Sequence, residues 1–493
     1  MIRLLLSGLL IASPALARAS DAPGGPPVDP LMAIPFATLL LMIAVAPLIN
    51  RHLWEKHYPV VALGLAIIPL VYYLFVLGAP ARVIHTAFEY LSFISLIGSL
   101  FVVSGGIHIR IRGRSTPAAN VALLGVGAVV SNLLGTTGAS MILIRPFLRV
   151  NRYRIKPFHV VFFIFIVSNM GGALTPIGDP PLFLGYLRGI PFFWVAEALW
   201  FKWLVGILIV LVVFYVLDLK SFKDLSKKVQ HDVEEGREEG EVSGLQNVVF
   251  LVVILVSVFI TDPPFVREAL MIGAAVGSYL TTPRSIHEKN DFNFIPIKEV
   301  AILFFGIFAT MIPALDWLEH NAGQIGIHTP GQFYWATGML SSVLDNAPTY
   351  LNFLSAEIGL LVDPAVVARV QELVGSGAGV AGLTGPNAEV VRATYLTLVQ
   401  YHYAAVAAHA VPADQIAAAY LIANHSLHVQ AISIGAVFFG ACTYIGNGPN
   451  FMVKSIADHS GIRTPTFTGY LVGYALPVLI PVFALLWFLF FRT

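Results

Sequence analysis

The sequence has little charge for its length. Only 12% of its 493 residues are charged, whereas 57% are hydrophobic and the mean hydropathy is +0.78. A soluble globular protein carries about 25% charged residues, so this chain lacks the charge needed to cover an aqueous surface. Neither sign is in excess, because 29 Lys and Arg stand against 28 Asp and Glu, and nucleic acid is therefore not an expected partner. A single cysteine, Cys442, excludes a disulfide framework and a cysteine-based metal site.

Long apolar runs indicate an all-α polytopic membrane protein. A spanning helix needs about 20 apolar residues, and the chain offers about ten such runs. At the N-terminus, Arg3, the apolar run 4–12 and Ala15-Leu16-Ala17 predict a signal peptide at residues 1–17; an uncleaved anchor is the alternative. Cleavage would leave a multi-pass protein of the bacterial inner membrane with its mature N-terminus in the periplasm.

Composition divides the chain into two transmembrane repeats, at residues 31–217 and 245–493, joined by a charged cytoplasmic linker at 218–244. Each repeat is predicted to contain a re-entrant hairpin followed by a broken transmembrane helix. Treating both hairpins as re-entrant places most of the Lys and Arg on the cytoplasmic side, as the positive-inside rule requires. The predicted bounds are about 121–148 (first hairpin), 158–186 (first broken helix), 332–354 (second hairpin) and 416–453 (second broken helix).

The two broken helices carry the same pattern. The stretches GALTPIGDPPLF at 172–183 and GACTYIGNGPNF at 440–451 share a T-x-I-G-x-x-P core. Proline removes a backbone donor and glycine relaxes the backbone, so a helix does not continue through this pattern. Unwound backbone survives in a bilayer only where it is buried in protein or lines a polar cavity. Paired breaks in two halves are typical of a transporter's midplane binding site; two packing kinks are the alternative.

Each of the two predicted sites also contains a single carboxylate. Asp179 lies in the first break, where the second repeat has Asn447, and Asp345 lies in the second hairpin, where the first has Gly135. An intramembrane carboxylate is costly, so function is its default explanation. Together with carbonyl, hydroxyl and amide oxygens it suits a small hard cation. Loss of water favours the protonated carboxyl and a bound cation favours the ionised form, so H⁺ and Na⁺ would compete, which is the minimum requirement for cation/proton exchange.

Other features point less clearly to a function. His425 and His428 either bind a metal or form a polar helix face, and neither their role nor that of the small-residue insertion at 356–413 is assigned. No HExxH, GxSxG or P-loop pattern occurs in a suitable setting. We therefore expect a protein that is not an enzyme and has no cofactor, with a membrane-embedded enzyme as the alternative class.

At these residues the sequence resembles the NhaD-type sodium/proton antiporters of the ion-transporter superfamily, whose relatives include the dicarboxylate/sodium symporters and the arsenite permeases. The resemblance implies a scaffold and a transport domain, an elevator-type motion and a homodimer in membrane lipid. It is carried by SNLLGTTGAS at 131–140, SNMGGALTPIGDPP at 168–181, SSVLDNAPTYLNF at 341–353 and GACTYIGNGPN at 440–450. It places one cation site on Ser131, Asn132, Thr175, Gly178 and Asp179, and its counterpart on Ser341, Asp345, Asn346, Thr443, Gly446 and Asn447.

The predicted function is therefore a secondary antiporter that exports Na⁺, or Li⁺, in exchange for protons, with Asp179 and Asp345 as competitive ligands. An organic-anion (dicarboxylate) or arsenite/oxyanion permease of the same superfamily is the alternative. The symporters of this superfamily have Ser-Asn-Thr at both hairpin tips, but here Leu133 follows Ser131-Asn132 and the second tip has Asp345-Asn346. Fixed aspartates would repel a carboxylate substrate, which favours the antiporter.

Overall fold

The computed structural model describes residues 26–110, 115–225, 241–260, 263–324, 326–380 and 382–492. The predicted signal peptide lies outside the described residues, and so do residues 226–240 of the predicted linker. Within the described part, nine helices are long and apolar enough to cross a membrane, or up to ten if one bent pair counts as a span. The predicted fold class, an all-α polytopic membrane protein, is confirmed.

The helices follow one another through the described part of the chain, with short 3₁₀ and π segments at several breaks. Two three-residue strands, β1 (His108–Arg110) and β2 (Glu241–Ser243), pair antiparallel. The α-helices are α1 Ile34–Ile49, α2 Arg51–Val71, α3 Pro80–Gly105, α4 Pro117–Val150, α5 Pro157–Ile166, α6 Pro180–Leu187, α7 Phe192–Lys223, α8 Asn247–Ser257, α9 Val266–Thr281, α10 Arg284–Lys289, α11 Ile295–Asn321, α12 Pro330–Ser341, α13 Asn346–Leu361, α14 Pro364–Ser376, α15 Ala388–Tyr401, α16 Tyr403–Ala407, α17 Ala413–Phe439, α18 Gly448–His459, α19 Phe467–Tyr470 and α20 Ile480–Phe490.

The first hairpin is α4, which folds back on itself. Its backbone leaves the helical region at Gly135 (φ 71°, ψ 156°), a conformation that glycine adopts without strain. A Cβ on Gly127 would lie 3.3 Å from Leu143, although a straight helix would separate the two residues by about 24 Å. The ends of α4 also meet, because the Asn120 and Asn151 side chains exchange hydrogen bonds of 2.8 and 2.9 Å. The hairpin extends a few residues beyond the predicted bounds at both ends.

The second hairpin consists of α12 and α13, joined by a turn at residues 342–345. The rings of Phe333 and Phe353, one on each helix, lie with their centroids 6.3 Å apart. The chain therefore reverses at this turn, as it does at Gly135. The hairpin is longer than the predicted 332–354 because α13 continues to Leu361.

Both broken helices pass through the same series of conformations. In each, a helix leads into a 3₁₀ turn, Met170–Leu174 in the first and Gly440–Cys442 in the second. Extended residues follow, with Asp179 (φ −145°, ψ 144°) and Asn447 (φ −157°, ψ 140°) immediately before α6 and α18. The sequence repeat is thus a repeat of backbone structure.

A buried charge cluster lies at the base of the first hairpin. The sequence pattern predicts a solvated linker from residue 218, but α7 continues to Lys223 and Asp218 is fully buried. Its carboxylate binds Arg154 and, at 3.0 Å, the Nε2 atom of His159. Arg154 is also buried, although most of the Lys and Arg are predicted to lie in loops on the cytoplasmic side. Both departures have one cause: each charge is paired with a partner more than 50 residues away in sequence.

The insertion at 356–413 has a small hydrophobic core of its own. Helices α14 to α16 follow the second hairpin, and side chains of α14 and α15 pack with the start of α17. The members of this core include Val366, Val370, Leu373, Val391, Leu398 and Ile416.

Candidate functional site

Asp179 is the centre of the candidate site. Its side chain is buried, and it accepts hydrogen bonds from the Thr136 hydroxyl at 2.7 Å, from Asn346 Nδ2 at 2.5 Å and from Asn447 Nδ2 at 3.1 Å. Thr136 follows the tip of the first hairpin, Asn346 begins α13 at the tip of the second, and Asn447 ends the second break. One carboxylate therefore joins both hairpins and both breaks.

Threonine hydroxyls shape the two breaks in the same way. Thr175 Oγ1 donates to the Asn132 carbonyl oxygen at 2.6 Å and accepts a hydrogen bond from Gly178 N at 3.0 Å. The first bond ties the break to the first hairpin, and the second closes the turn that leads to Asp179. The equivalent bonds of the second repeat run from Thr443 Oγ1 to the Ser342 carbonyl oxygen at 2.6 Å and from Gly446 N to Thr443 Oγ1 at 3.1 Å.

Glycines allow the backbone to close on itself at each break. A Cβ on Gly178 would overlap the Gly172 carbonyl group, and a Cβ on Gly446 would lie 2.7 Å from the Gly440 carbonyl oxygen. A side chain at either place would push the break open. The glycines of the T-x-I-G motif are therefore required for the close approach that positions Asp179 and Asn447.

Three predicted site residues position the hairpins without touching Asp179. Ser131 Oγ lies 2.8 Å from two carbonyl oxygens of the interior. Asn132 donates to the Gly171 carbonyl oxygen at 2.7 Å, and Ser341 Oγ donates to the Ala436 carbonyl oxygen at 2.6 Å. All three are buried and hold a hairpin against a broken helix.

Asp345 does not join Asp179. Its carboxylate accepts a hydrogen bond of 3.1 Å from Ala347 N and so caps α13, and its side chain is only partly buried. Asn346 and Asn447, which the resemblance assigns to the same site as Asp345, donate to Asp179 instead. The structure thus brings two residues of the second predicted site to the carboxylate of the first.

Sequence reasoning missed three polar residues near this centre: Thr136, Asn169 and Asn450. Asn169 Nδ2 donates to Asn450 Oδ1 at 2.6 Å, and Asn450 Nδ2 donates to the Gly440 carbonyl oxygen at 2.8 Å. All three are buried. Each lies in one of the motifs that carry the resemblance. The signal that could have identified them is a polar residue inside an apolar run.

Two buried amide oxygens at the site have no hydrogen-bond partner among the described residues, namely Oδ1 of Asn169 and Oδ1 of Asn346. A Cβ on Gly440 would lie 3.1 Å from Asn169 Oδ1 and 3.6 Å from Asn346 Nδ2, so the two side chains face the same small space. Carboxylate and amide oxygens are ligands that suit a hard cation. Over the described ranges, no group of three His, Cys, Asp or Glu side chains is arranged for a metal ion, and this includes His425 and His428.

The buried Arg side chains already have acidic partners. In the part of the chain that the structure describes, these are Arg154, which binds Asp218, and Arg188, whose Nε lies 2.8 Å from Glu89. No Lys or Arg donates to Asp179 in that part. Among the described residues, the charge at the centre of the site is therefore negative.

Comparison with protein families places the chain in one of them. A family model described as "Putative citrate transport" matches residues 27–491, which is nearly the whole chain. No curated protein matches the chain. The match supports a transporter that crosses the membrane several times and does not extend to the NhaD-type antiporters in particular. The chain belongs to the "Putative citrate transport" family of membrane transporters.

Proposed function

We propose that this transporter exchanges Na⁺, or Li⁺, for H⁺ at Asp179. The observation that carries the proposal is the buried carboxylate of Asp179, which three side-chain donors from both repeats hold in place. The oxygens of Asn169 and Asn346, which have no hydrogen-bond partner among the described residues, are candidate neutral ligands. One negative charge with neutral oxygen ligands suits either one small cation or one proton.

Competition at Asp179 would couple the two ions. An isolated buried carboxylate is costly in a membrane, and either Na⁺ or H⁺ cancels its charge. A loaded site can then cross the bilayer, whereas the ionised site without a cation crosses poorly. Because Asp179 binds both hairpins and the second break, these elements would move together as the transport domain, with the other long helices as a scaffold and a homodimer as the assembly.

Asp345 is a second candidate ligand for the cation, and one assay compares it with Asp179. Everted vesicles that hold a pH gradient should lose the gradient when Na⁺ is added. We expect Asp179→Asn to abolish this response and Asp345→Asn, which retains a side chain that can cap α13, to keep most of it. Equal losses would give Asp345 an equal part in ion binding, and activity in both variants would refute the mechanism.

Transport of citrate or a related organic anion is the second candidate, and the family description favours it. The electrostatics of the site argue against a bound polyanion, because Asp179 is negative and the buried Arg residues of the described ranges are paired with acids. Uptake of radiolabelled citrate, dicarboxylate and arsenite by proteoliposomes, measured with and without Na⁺, separates the two functions. Citrate uptake that needs Asp179 would show that its cation site drives anion transport.

A further inference from the structure

Glu357 is a buried carboxyl group outside the proposed site. It lies on α13, the second helix of the second hairpin, with a side chain that is 0% exposed, and neither of its carboxyl oxygens has a hydrogen-bond partner among the described residues. The buried acids Asp179, Asp218 and Asp316, in contrast, accept hydrogen bonds from side chains. An ionised carboxylate without a partner is far more costly to bury than a neutral one, so Glu357 carries a proton in this conformation.

Glu357 shares one face of α13 with the amide that binds Asp179. Asn346, Tyr350 and Glu357 are spaced by four and seven residues, which places them on one face of a helix, and all three are buried. At 1.5 Å per residue the row extends about 16 Å from Asn346 to Glu357. Tyr350, in the middle of the row, contacts the first broken helix, because a Cβ on Gly185 of α6 would lie 2.5 Å from the Tyr350 hydroxyl oxygen. A row of buried polar side chains thus leads from Asp179 toward the base of the hairpin.

Charged groups of neighbouring helices surround that base. Glu319 of α11 packs by its backbone against Gly359, two residues after Glu357. None of the charged groups near this end forms a described hydrogen bond or ion pair with Glu357. Two of them have partners elsewhere: Asp316 is paired with Arg82 at 2.6 Å, and Arg188, after α6, is paired with Glu89. Two further acids are Asp414 on α17 and Asp363 before α14. The last is Glu319 itself, which lies within electrostatic range of Arg82, Arg188, Asp316 and Asp414.

We propose that Glu357 is a second proton-binding group of the transporter. Its carboxyl O–H bond breaks when the second hairpin moves and exposes it to water, the proton leaves as hydronium, and the carboxylate takes up a proton again before the side chain is buried. The base of α13, where Glu319 and Asp414 supply acidic groups, is the place of exchange. This inference rests on the proposed function, since it adds a proton to those that Asp179 exchanges.

Infrared spectra of the full-length protein in lipid, compared between the wild type and its variants, test directly whether Glu357 is protonated. At neutral pH we expect a C=O band of a protonated carboxyl group that is present in the wild type and in Asp179→Asn and is lost in Glu357→Gln. Glu357→Asp should restore a band at a shifted frequency. A wild-type spectrum that Glu357→Gln leaves unchanged would overturn the proposal, and this readout does not depend on transport.

The number of protons exchanged per Na⁺, measured from the reversal potential of proteoliposomes, tests the role in transport. Glu357→Gln should lose one proton per cycle, and the matched control Ser355→Ala, which changes a buried polar residue of the same helix, should lose none. An unchanged ratio in Glu357→Gln refutes the inference while the proposed function stands. A wild type that moves no H⁺ with Na⁺ refutes the proposed function, and the infrared result then decides for Glu357 alone. If Glu357→Gln does not fold, Glu357→Asp with a shifted band still identifies the proton.

Discussion

The Thr136 hydroxyl stabilises the ionised form of Asp179 directly. It donates a hydrogen bond of 2.7 Å to Oδ1, and both residues are buried. A hydrogen bond to a charged group contributes about 1.5–3 kcal/mol. Thr136→Val keeps the shape of the side chain and removes the donor, so the proton is held more tightly by Asp179. Because about 1.4 kcal/mol corresponds to one pH unit, the pH of half-maximal transport should rise by about 1–2 units.

The assay is the Na⁺-dependent loss of a pH gradient in everted vesicles, measured at a series of pH values. Thr137→Val is the matched control, because Thr137 is the next residue, is only partly buried and has no hydrogen bond to Asp179. Its pH profile should match that of the wild type. A shift in Thr136→Val no larger than that of the control, or a shift toward lower pH, would refute the role of this hydrogen bond.

Two further predictions concern stability, measured as the unfolding temperature of the purified protein in detergent. Gly185→Ala should lower it, because the new methyl group would lie 2.5 Å from the Tyr350 hydroxyl oxygen and overpacking costs about 1–3 kcal/mol. Asp218→Asn should lower it further, because it leaves Arg154 as a buried charge without its carboxylate, a change that costs about 3–5 kcal/mol.

Each stability prediction has a matched control. A Cβ on Gly273 meets nothing within 4 Å, so Gly273→Ala should leave the unfolding temperature unchanged or raise it slightly through helix propensity. Asp291 pairs with Arg145 but its side chain is 79% exposed, so Asp291→Asn should cost less than about 1 kcal/mol. Equal unfolding temperatures for a variant and its control would contradict the packing or the pairing that the structure shows.

Local chemistry made much of the fold predictable. Glycine and proline of the T-x-I-G-x-x-P pattern interrupt both broken helices, so the two breaks follow from the residues themselves. The two re-entrant hairpins follow from the distribution of Lys and Arg. The capping role of Asp345 was also readable, because an Asp that precedes a helix accepts a hydrogen bond from a backbone N–H of the first turn. The structure shows the cap, and the ion that the resemblance implies at Asp345 stays a proposal. Asp218 was misplaced for the opposite reason, because a charged run at a helix end resembles solvated linker.

The sequence by itself determined that this is a polytopic helical protein with two matched breaks and few intramembrane carboxylates. Only the tertiary structure decided which groups meet. Asn447 lies 268 residues after Asp179 and Asn346 lies 167 residues after it, and no local pattern encodes either contact. A buried carboxylate must find donors, because the bilayer supplies none. The packing of the two repeats decides which donors reach the carboxylate, and here both Asn346 and Asn447 donate to Asp179.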